Sequence, residues 1–586
     1  MRVLVRVLAL AVAVSAPARD VFVLLSGGGT PLTNNYSQYL QAGALAADLQ
    51  RTRPADSVWI FFGVGNREGE PVRLADVHRQ VKEDGLLRDT WLPGAIPHNR
   101  PASKEEFLRA LREEILPAVR DGGTLFLYIG DHGSLARKEP KESVVTMWQM
   151  KNPDGQDRHW NTDPGEELSV TELQAALAAG LGKGRVVFCM TQCHSGGFHF
   201  LGVPRAVQPD PVWFTAVPDW AAPKDGKTLP FAAGFTSADE ESPAAGCDPD
   251  PDPDRWAGYE RFAPEALLGI GLFDGRKTGP VLPSYAAAHE AAVLVDQTID
   301  KPRSSSEQFL ERWAELIEKL ARESRLTPAA KRQVAAYQRA VDTGLAEATD
   351  EAFAAKRAQF TRFLAQLCAQ NQPAADLLRK GTGAGLEQAI GAKNVSPNRH
   401  GGTGGGPDER RKLWQETIRP AWKAAVEAGQ VKDLTGAALG FEKYLLAQEE
   451  KGRELMFSPG WQNPLLNDMY WRSGYAFPAQ LDAKKAEAVT RWGALRRQKI
   501  AAWARVAPDA KVAAAAVRLW PAITRAGANP GAPPRTLPRK IAAERTLFYR
   551  RVLAAWAFLL GMKEQAALEQ LHRYLELETT PLPPAM

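Results

Sequence analysis

The chain has 586 residues, a net charge of +5, 44% hydrophobic and 24% charged residues. That balance is globular, exceeds one ordinary core, and is too weakly basic to suggest nucleic acid. No apolar run reaches the roughly 18 residues of a membrane span, so no integral span is expected.

Residues 1–18 carry Arg2 and Arg6, an apolar stretch from Val7 to Val14, then Ala16-Pro17-Ala18. This is the pattern of a signal peptide with an A-x-A cleavage site after Ala18, and it predicts export to the periplasm or medium. No cysteine follows the apolar stretch, which argues against a lipoprotein.

From residue 20 to about 245, β-branched and aromatic runs alternate with helical patterns. Strands are predicted at 20–26, 58–63, 124–130, 185–190 and 229–235, and helices at 39–51, 103–120 and 169–179. Near-continuous apolar strands joined by helices predict an α/β fold with a mostly parallel central sheet flanked by helices. A hairpin-like insertion over 144–161, turning at 152–157, interrupts the alternation. Past Leu282 the pattern becomes helical, with helices predicted over 285–299, 306–325 and 328–378. Residues 394–408 are rich in glycine and read as a linker, and helical patterns run from 409 to 578. The expected organisation is a signal peptide (1–18), a catalytic domain (19–305), a helical region (306–393), the linker (394–408) and an all-α C-terminal region (409–586).

Two predicted strands end in chemically distinctive turns. Asp131-His132-Gly133 follows the first, and Gln192-Cys193-His194-Ser195-Gly196-Gly197 follows the second. In parallel sheets, sites form at the carboxyl edge of the strands, where both turns fall. A thiol is only slightly ionised near neutrality, and a neighbouring imidazole raises that fraction and later protonates the leaving amine. Cys193 is therefore the candidate nucleophile and His132 its base. The backbone N–H groups of Gly133 and Cys193 are the candidate oxyanion donors.

Four cysteines, at 189, 193, 247 and 368, do not form a disulfide framework. Cys189 reads as a core residue of a strand, whereas Cys247 and Cys368 could pair or stay free. Cys189, Cys193, His194 and His199 lack any usual structural zinc spacing, and the acidic run at 248–254 lacks the glycine turn of a calcium loop. No metal or other cofactor is expected. His194 and His199 are expected to face solvent. Ser195 does not sit in a serine-nucleophile turn, which would need glycine where Cys193 stands.

The two turns resemble the signatures of the caspase-like cysteine peptidases, the group that includes legumains, metacaspases and gingipains. Legumain is the nearest match on Ser26-Gly27-Gly28-Gly29, Asn34-Asn35-Tyr36 and Thr236-Ser237-Ala238-Asp239-Glu240-Glu241-Ser242, with a looser fit at Pro302 to Glu307. The resemblance covers about residues 20–305. It implies a caspase-like α/β sandwich, gives Cys193 and His132 the roles above, and makes Asn35 the residue that orients His132. The sequence departs from legumain where an arginine would follow the Asn-Tyr step: Ser37 stands there, then Gln38. Thr191 and Gln192 replace an acidic residue and an alanine, so preference for asparagine does not transfer. A pocket of Ser37, Gln38, Ser237 and Tyr259 would suit a small or neutral side chain. The expected function is that of an exported cysteine endopeptidase acting on a protein or peptide substrate through a thioester. An inactive caspase-like scaffold is the alternative. The C-terminal helical region is expected to be regulatory, for example as a prodomain covering the cleft.

Overall fold

A computed structural model describes residues 19–29, 33–65, 77–83, 86–92, 94–136, 142–148, 166–222, 229–248, 251, 253, 256–391, 510 and 537–584. The signal-peptide segment 1–18, the 152–157 turn, most of the acidic run, the 394–408 linker and the helical patterns of 409–536 other than residue 510 lie outside the described residues.

Strand β1 (Val21–Ser26) leads through α1 (Tyr36–Thr52) to β2 (Val58–Phe62), and the antiparallel hairpin β3 (Val77–Glu83) and β4 (Leu86–Leu92) follows. Helix α2 (Lys104–Ala110) passes through a π-helical stretch, Leu111–Ile115, into α3 (Leu116–Val119). Then come β5 (Thr124–Gly130), β6 (Gly133–Leu135), β7 (Ser143–Met147), β8 (Glu166–Ser169), α4 (Val170–Gly180), β9 (Arg185–Met190) and β10 (Ala232–Thr236). Helices α5 (Tyr259–Leu268) and α6 (Tyr285–Val295) precede a short strand, β11 (Arg303–Ser304). The helices that follow are α7 (Ser305–Leu320), α8 (Pro328–Thr343), α9 (Glu351–Gln370), α10 (Ala375–Lys380), α11 (Gly383–Gly391), α12 (Arg539–Met562) and α13 (Gln565–Glu578).

Six strands form the main sheet in the order β11-β10-β9-β5-β1-β2, parallel throughout except for β11. Alternation along each strand divides the core between its faces. Phe22, Leu24, Phe126, Tyr128, Val187 and Cys189 point to one face, where α1, α5, α6 and the later helices pack. Val21, Val23, Leu125, Leu127, Val186 and Phe188 point to the other, against the α2–α4 side. The mostly parallel sheet expected from the apolar runs is present. Strands β6, β7 and β8 form a separate small antiparallel sheet, built partly from the expected insertion.

Caps mark where the helices begin. Ser169 with Glu172 and Ser304 with Glu307 form capping boxes at α4 and α7, and at α1 the Gln38 side chain accepts from the Asn35 N–H. The single helix expected over 328–378 is instead three. Gly344 at φ +73° ends α8, and Asp350 caps α9.

Among the described residues, no break in the core marks residue 305. One buried cluster runs from the sheet residues Phe22 and Phe235 through Trp313 and Phe353 to Trp556 and Tyr574. Helix α12 packs on α7, α8, α9 and α11, and α13 packs on β10 and α7. The Glu578 carboxylate accepts from the Ser306 backbone N–H at 2.6 Å and its hydroxyl at 2.8 Å, anchoring α13 at the start of α7.

Candidate active site

Strands β5 and β9 are hydrogen-bonded neighbours, with Ile129 opposite Met190, so they end level at one edge of the sheet. Parallel neighbours lie about 4.8 Å apart, and the turns leaving them are brought together. His132 follows β5 and Cys193 follows β9, both half-buried.

Asp131 anchors the first turn. Its carboxylate accepts from the His132 N–H at 2.6 Å and the Gly28 N–H at 2.7 Å, tying this turn to the end of β1. Complete burial pushes its acid up to about 8 despite those two bonds.

The His132 ring is held through Nε2, which lies 2.5 Å from the Thr33 carbonyl oxygen and 3.3 Å from Asn35 Nδ2. A carbonyl can only accept, so Nε2 carries a proton, and in the neutral ring Nδ1 carries the lone pair. That is the tautomer of a general base working through Nδ1. Asn35 touches the ring, but its amide nitrogen donates to the Cys247 carbonyl at 2.7 Å. The orienting acceptor is therefore a backbone atom of Thr33, with Asn35 packed beside it.

Gly133 joins the two turns. A β-carbon there would stand 2.0 Å from the Cys193 carbonyl oxygen and 2.7 Å from Gln192 Cγ, so only glycine fits this approach. The Thr146 N–H donates to the His132 carbonyl, making Gly133–Val145 a non-hydrogen-bonded pair of β6 and β7. The Gly133 N–H consequently points away from β7, at the edge of that small sheet.

Cys193 Sγ accepts from the Ala244 N–H at 3.3 Å. The same Sγ donates to the Ala244 carbonyl at 3.7 Å, so both backbone groups of Ala244 hold the thiol in place. His194 turns the chain at φ +57°, donating its N–H to the Ser242 carbonyl at 2.9 Å, and begins the short 3-10 helix Ser195–Leu201. At Gly196 a β-carbon would lie 2.6 Å from the Glu240 nitrogen, so this turn closes tightly on the segment after β10.

Histidines 194 and 199 are not solvent-facing. His194 is half-buried with Nδ1 3.0 Å from the Glu240 carbonyl. His199 is buried between Ser305 Oγ (2.8 Å) and Thr236 Oγ1 (3.0 Å), and burial holds its pKa well below the usual value. The 3-10 helix turns this ring under the sheet edge, where hydroxyls replace water.

The four residues expected to line a pocket lie deeper than that role requires. Ser37 Oγ accepts from the Asp248 N–H at 2.9 Å, and Gln38 Oε1 accepts from the Asn35 N–H at 2.9 Å. Ser237 Oγ donates to the Gln192 carbonyl at 3.2 Å, bracing the nucleophile turn from below. Tyr259 is in the core, its hydroxyl 2.9 Å from His289 Nδ1. The first three support the site loops; Tyr259 does not reach them, because α5 begins by turning its first residue inward.

Cys247 is a site residue that no motif marks. Its Sγ donates to the Asp131 carbonyl at 3.4 Å, and its N–H donates to Glu260 Oε2 at 2.6 Å. Burial pushes the Glu260 acid up to about 8. All four cysteines are free, so Cys247 and Cys368 do not pair. Cys189 is buried in β9, its thiol pushed up to about 12 by burial. Among the described residues, no group of three or more His, Cys, Asp or Glu is arranged to hold a metal ion. Among those same residues, no helix is long and apolar enough to cross a membrane.

No protein-family profile and no curated protein matches the chain. Among solved structures, the crystal structure of protein GSU0716 from Geobacter sulfurreducens matches at 14% identity, covering 49% of this chain and 92% of its own, with a TM-score of 0.25. A likeness at that level carries no argument about fold or function.

Proposed function

We propose that the chain is a caspase-like cysteine endopeptidase, nearest to legumains in its motifs. The observation that carries this reading is the apposition of Gly133 on the Cys193 carbonyl, which joins the turn of the base to the turn of the nucleophile. The His132 tautomer supports it as well, since Nδ1 is the nitrogen left with a lone pair.

In this mechanism His132 Nδ1 takes the Cys193 proton, and the thiolate attacks the scissile carbonyl carbon. The oxyanion accepts from the N–H groups of Gly133 and Cys193, and one such donor typically contributes about 100-fold or more to the rate. Collapse breaks the C–N bond, the leaving amine takes the proton from His132, and a thioester remains on Cys193. His132 then deprotonates a water that hydrolyses the thioester, releasing the acid and restoring the thiol.

Ser37, Gln38 and Ser237 are buried and brace the site loops without lining a pocket, so the preference for a small or neutral residue at the cleavage position rests on the absence of an arginine at position 37. The pattern of residues 1–18 supports export. The test is labelling by a thiol-directed activity probe together with cleavage of a peptide library. Cys193 labelling that disappears in Cys193→Ala, with cuts after small or neutral residues, is the expected result. No labelling at Cys193 would leave the scaffold reading in its place, and cuts dominated by charged residues would remove the small or neutral preference.

A further inference from the structure

Helix α12 carries two buried arginines with different targets. Arg550 donates to the carbonyls of Val341, Asp342, Leu378 and Gly381, where α8 and α10 end. Arg545, 3% exposed, faces the segment 296–300 between α6 and β11. Its Nε donates to the Asp300 carbonyl at 2.9 Å, and Nη1 donates to the Asp296 carbonyl at 3.2 Å. Its Nη2 reaches the Asp296 carboxylate at 3.0 Å, the Asp300 carbonyl at 2.6 Å and the Thr298 carbonyl at 3.4 Å.

That segment adjoins the site. The Asp300 carboxylate accepts from the Ala245 N–H at 2.5 Å and the Tyr259 N–H at 2.8 Å. Ala244, the preceding residue, donates to Cys193 Sγ. A second route begins at Glu544, which meets Lys301 Nζ at 3.1 Å. The Lys301 N–H donates to the Ser237 carbonyl at 2.9 Å, and Ser237 Oγ donates to the carbonyl of Gln192, just before the nucleophile. Two consecutive residues of α12 thus reach both sides of Cys193.

We infer that Arg545 is a positioning residue for the Cys193 thiol, acting through Asp300 and the 244–245 backbone. Helix α12 is then a working part of the site and not a removable cover. The chemistry requires an arginine. The segment 296–300 turns several carbonyl oxygens and two buried carboxylates, Asp296 and Asp300, toward one another. A planar guanidinium satisfies that fan of acceptors, whereas a lysine supplies the charge without the geometry. Without the fork, the segment relaxes, Asp300 releases the Ala245 amide, and the Ala244 N–H loses its aim at sulfur.

The kinetic arm of the test rests on the peptidase reading; the thiol arm does not. Full-length Arg545→Lys, Asp300→Asn, the double variant and Arg550→Lys are compared in three measurements. These are the rate of Cys193 alkylation by iodoacetamide, read on the Cys193 peptide by mass spectrometry; kcat and KM on a peptide substrate; and Tm. Small displacements of a reacting group cost up to about 100-fold, so Arg545→Lys and Asp300→Asn should each slow alkylation and lower kcat by about 10- to 100-fold, with KM little changed. The double variant should be no slower than the slower single, because the two residues act in series. Arg550→Lys should lower Tm and leave Cys193 at its wild-type rate. Wild-type alkylation in Arg545→Lys, an equal loss in Arg550→Lys, or multiplying effects in the double variant would each overturn the inference. If Arg545→Lys does not fold, Asp300→Asn against Arg550→Lys makes the same comparison. Alkylation as expected in a chain that cleaves no peptide would uphold the positioning and remove the peptidase reading.

Discussion

Gly133 lies against the carbonyl of Cys193 so closely that a β-carbon on the one would stand 2.0 Å from the oxygen of the other. Both residues leave the carboxyl ends of neighbouring strands, so the contact locks the turn of the base to the turn of the nucleophile. A single methyl group there has nowhere to go, because its nearest neighbour is backbone.

Gly133→Ala should therefore separate the two turns. Peptide cleavage should fall by about 100-fold or more, since both the oxyanion donor and the spacing of base and thiol move. Ser134→Ala, one residue on in β6 and half-buried, is the control that should keep its activity. A Gly133→Ala chain cleaving at the wild-type rate would show that the apposition is not used.

The Asn35 side chain serves the site and not the start of α1. Its amide nitrogen holds the Cys247 carbonyl beside His132, while the first turn of α1 is closed by Gln38 Oε1 accepting from the Asn35 N–H. Asn35→Ser and Asn35→Ala both lose the reach to Cys247 and keep that backbone bond, so both should lose activity alike with little change in Tm. Thermal unfolding and steady-state kinetics on the two variants check this; full activity in either would show that the Cys247 contact is not used.

Much of the sheet was legible because its strands are buried on both faces and read as unbroken apolar runs, as in 124–130 and 185–190. Strand β10 starts later than its apolar run, because Pro230 has no N–H to give a ladder. The hairpin β3–β4 gave no signal, its sequence mixing charged and apolar residues without a long apolar run. At the site, His132, Gly133 and Cys193 were visible because their chemistry is in side chains and a glycine. The Thr33 carbonyl was not, since a backbone acceptor leaves no mark on residue type. His199 lies near Cys193 in sequence and Tyr259 was placed by the resemblance, but neither clue says whether a side chain turns toward the cleft or the core. Arg545 could not be assigned at all, because its partners are backbone carbonyls of a distant segment.

Buried acids set the pH dependence of stability. Burial pushes Asp131 and Glu260 up to about 8 and Glu578 up to about 7, against about 4 in an unfolded chain. The native state keeps protons that the unfolded state has released, so this stabilisation is full below the unfolded values and is lost as pH rises through the folded ones. His199 and His289, held below their usual pKa by burial, act oppositely: their contribution is lost as pH falls below about 6.5. Between about pH 6.5 and 8 Asp131 and Glu260 are unopposed by the histidines, and each costs on the order of 1 kcal/mol per pH unit, with Glu578 adding to the loss only up to about pH 7. Tm should fall across that window by calorimetry, and Glu260→Gln should flatten the fall. A Tm that rises there would contradict the assignment.

The four cysteines offer a direct count of which thiols face the site. Cys193 and Cys247 are half-buried, while Cys189 and Cys368 are buried, so Ellman's reagent should titrate two thiols in the native chain and four after denaturation. Cys193→Ala and Cys247→Gly should each remove one of the native pair. They should differ in function. Cys247 sits at φ +63°, a backbone region that glycine adopts without strain, so Cys247→Gly should fold and keep most of its peptide cleavage. Cys193→Ala should fold and cleave nothing, because no other thiol accepts the Ala244 N–H beside the turn of His132. The reverse outcome, activity lost with Cys247 and kept without Cys193, would move the nucleophile to the loop that follows β10.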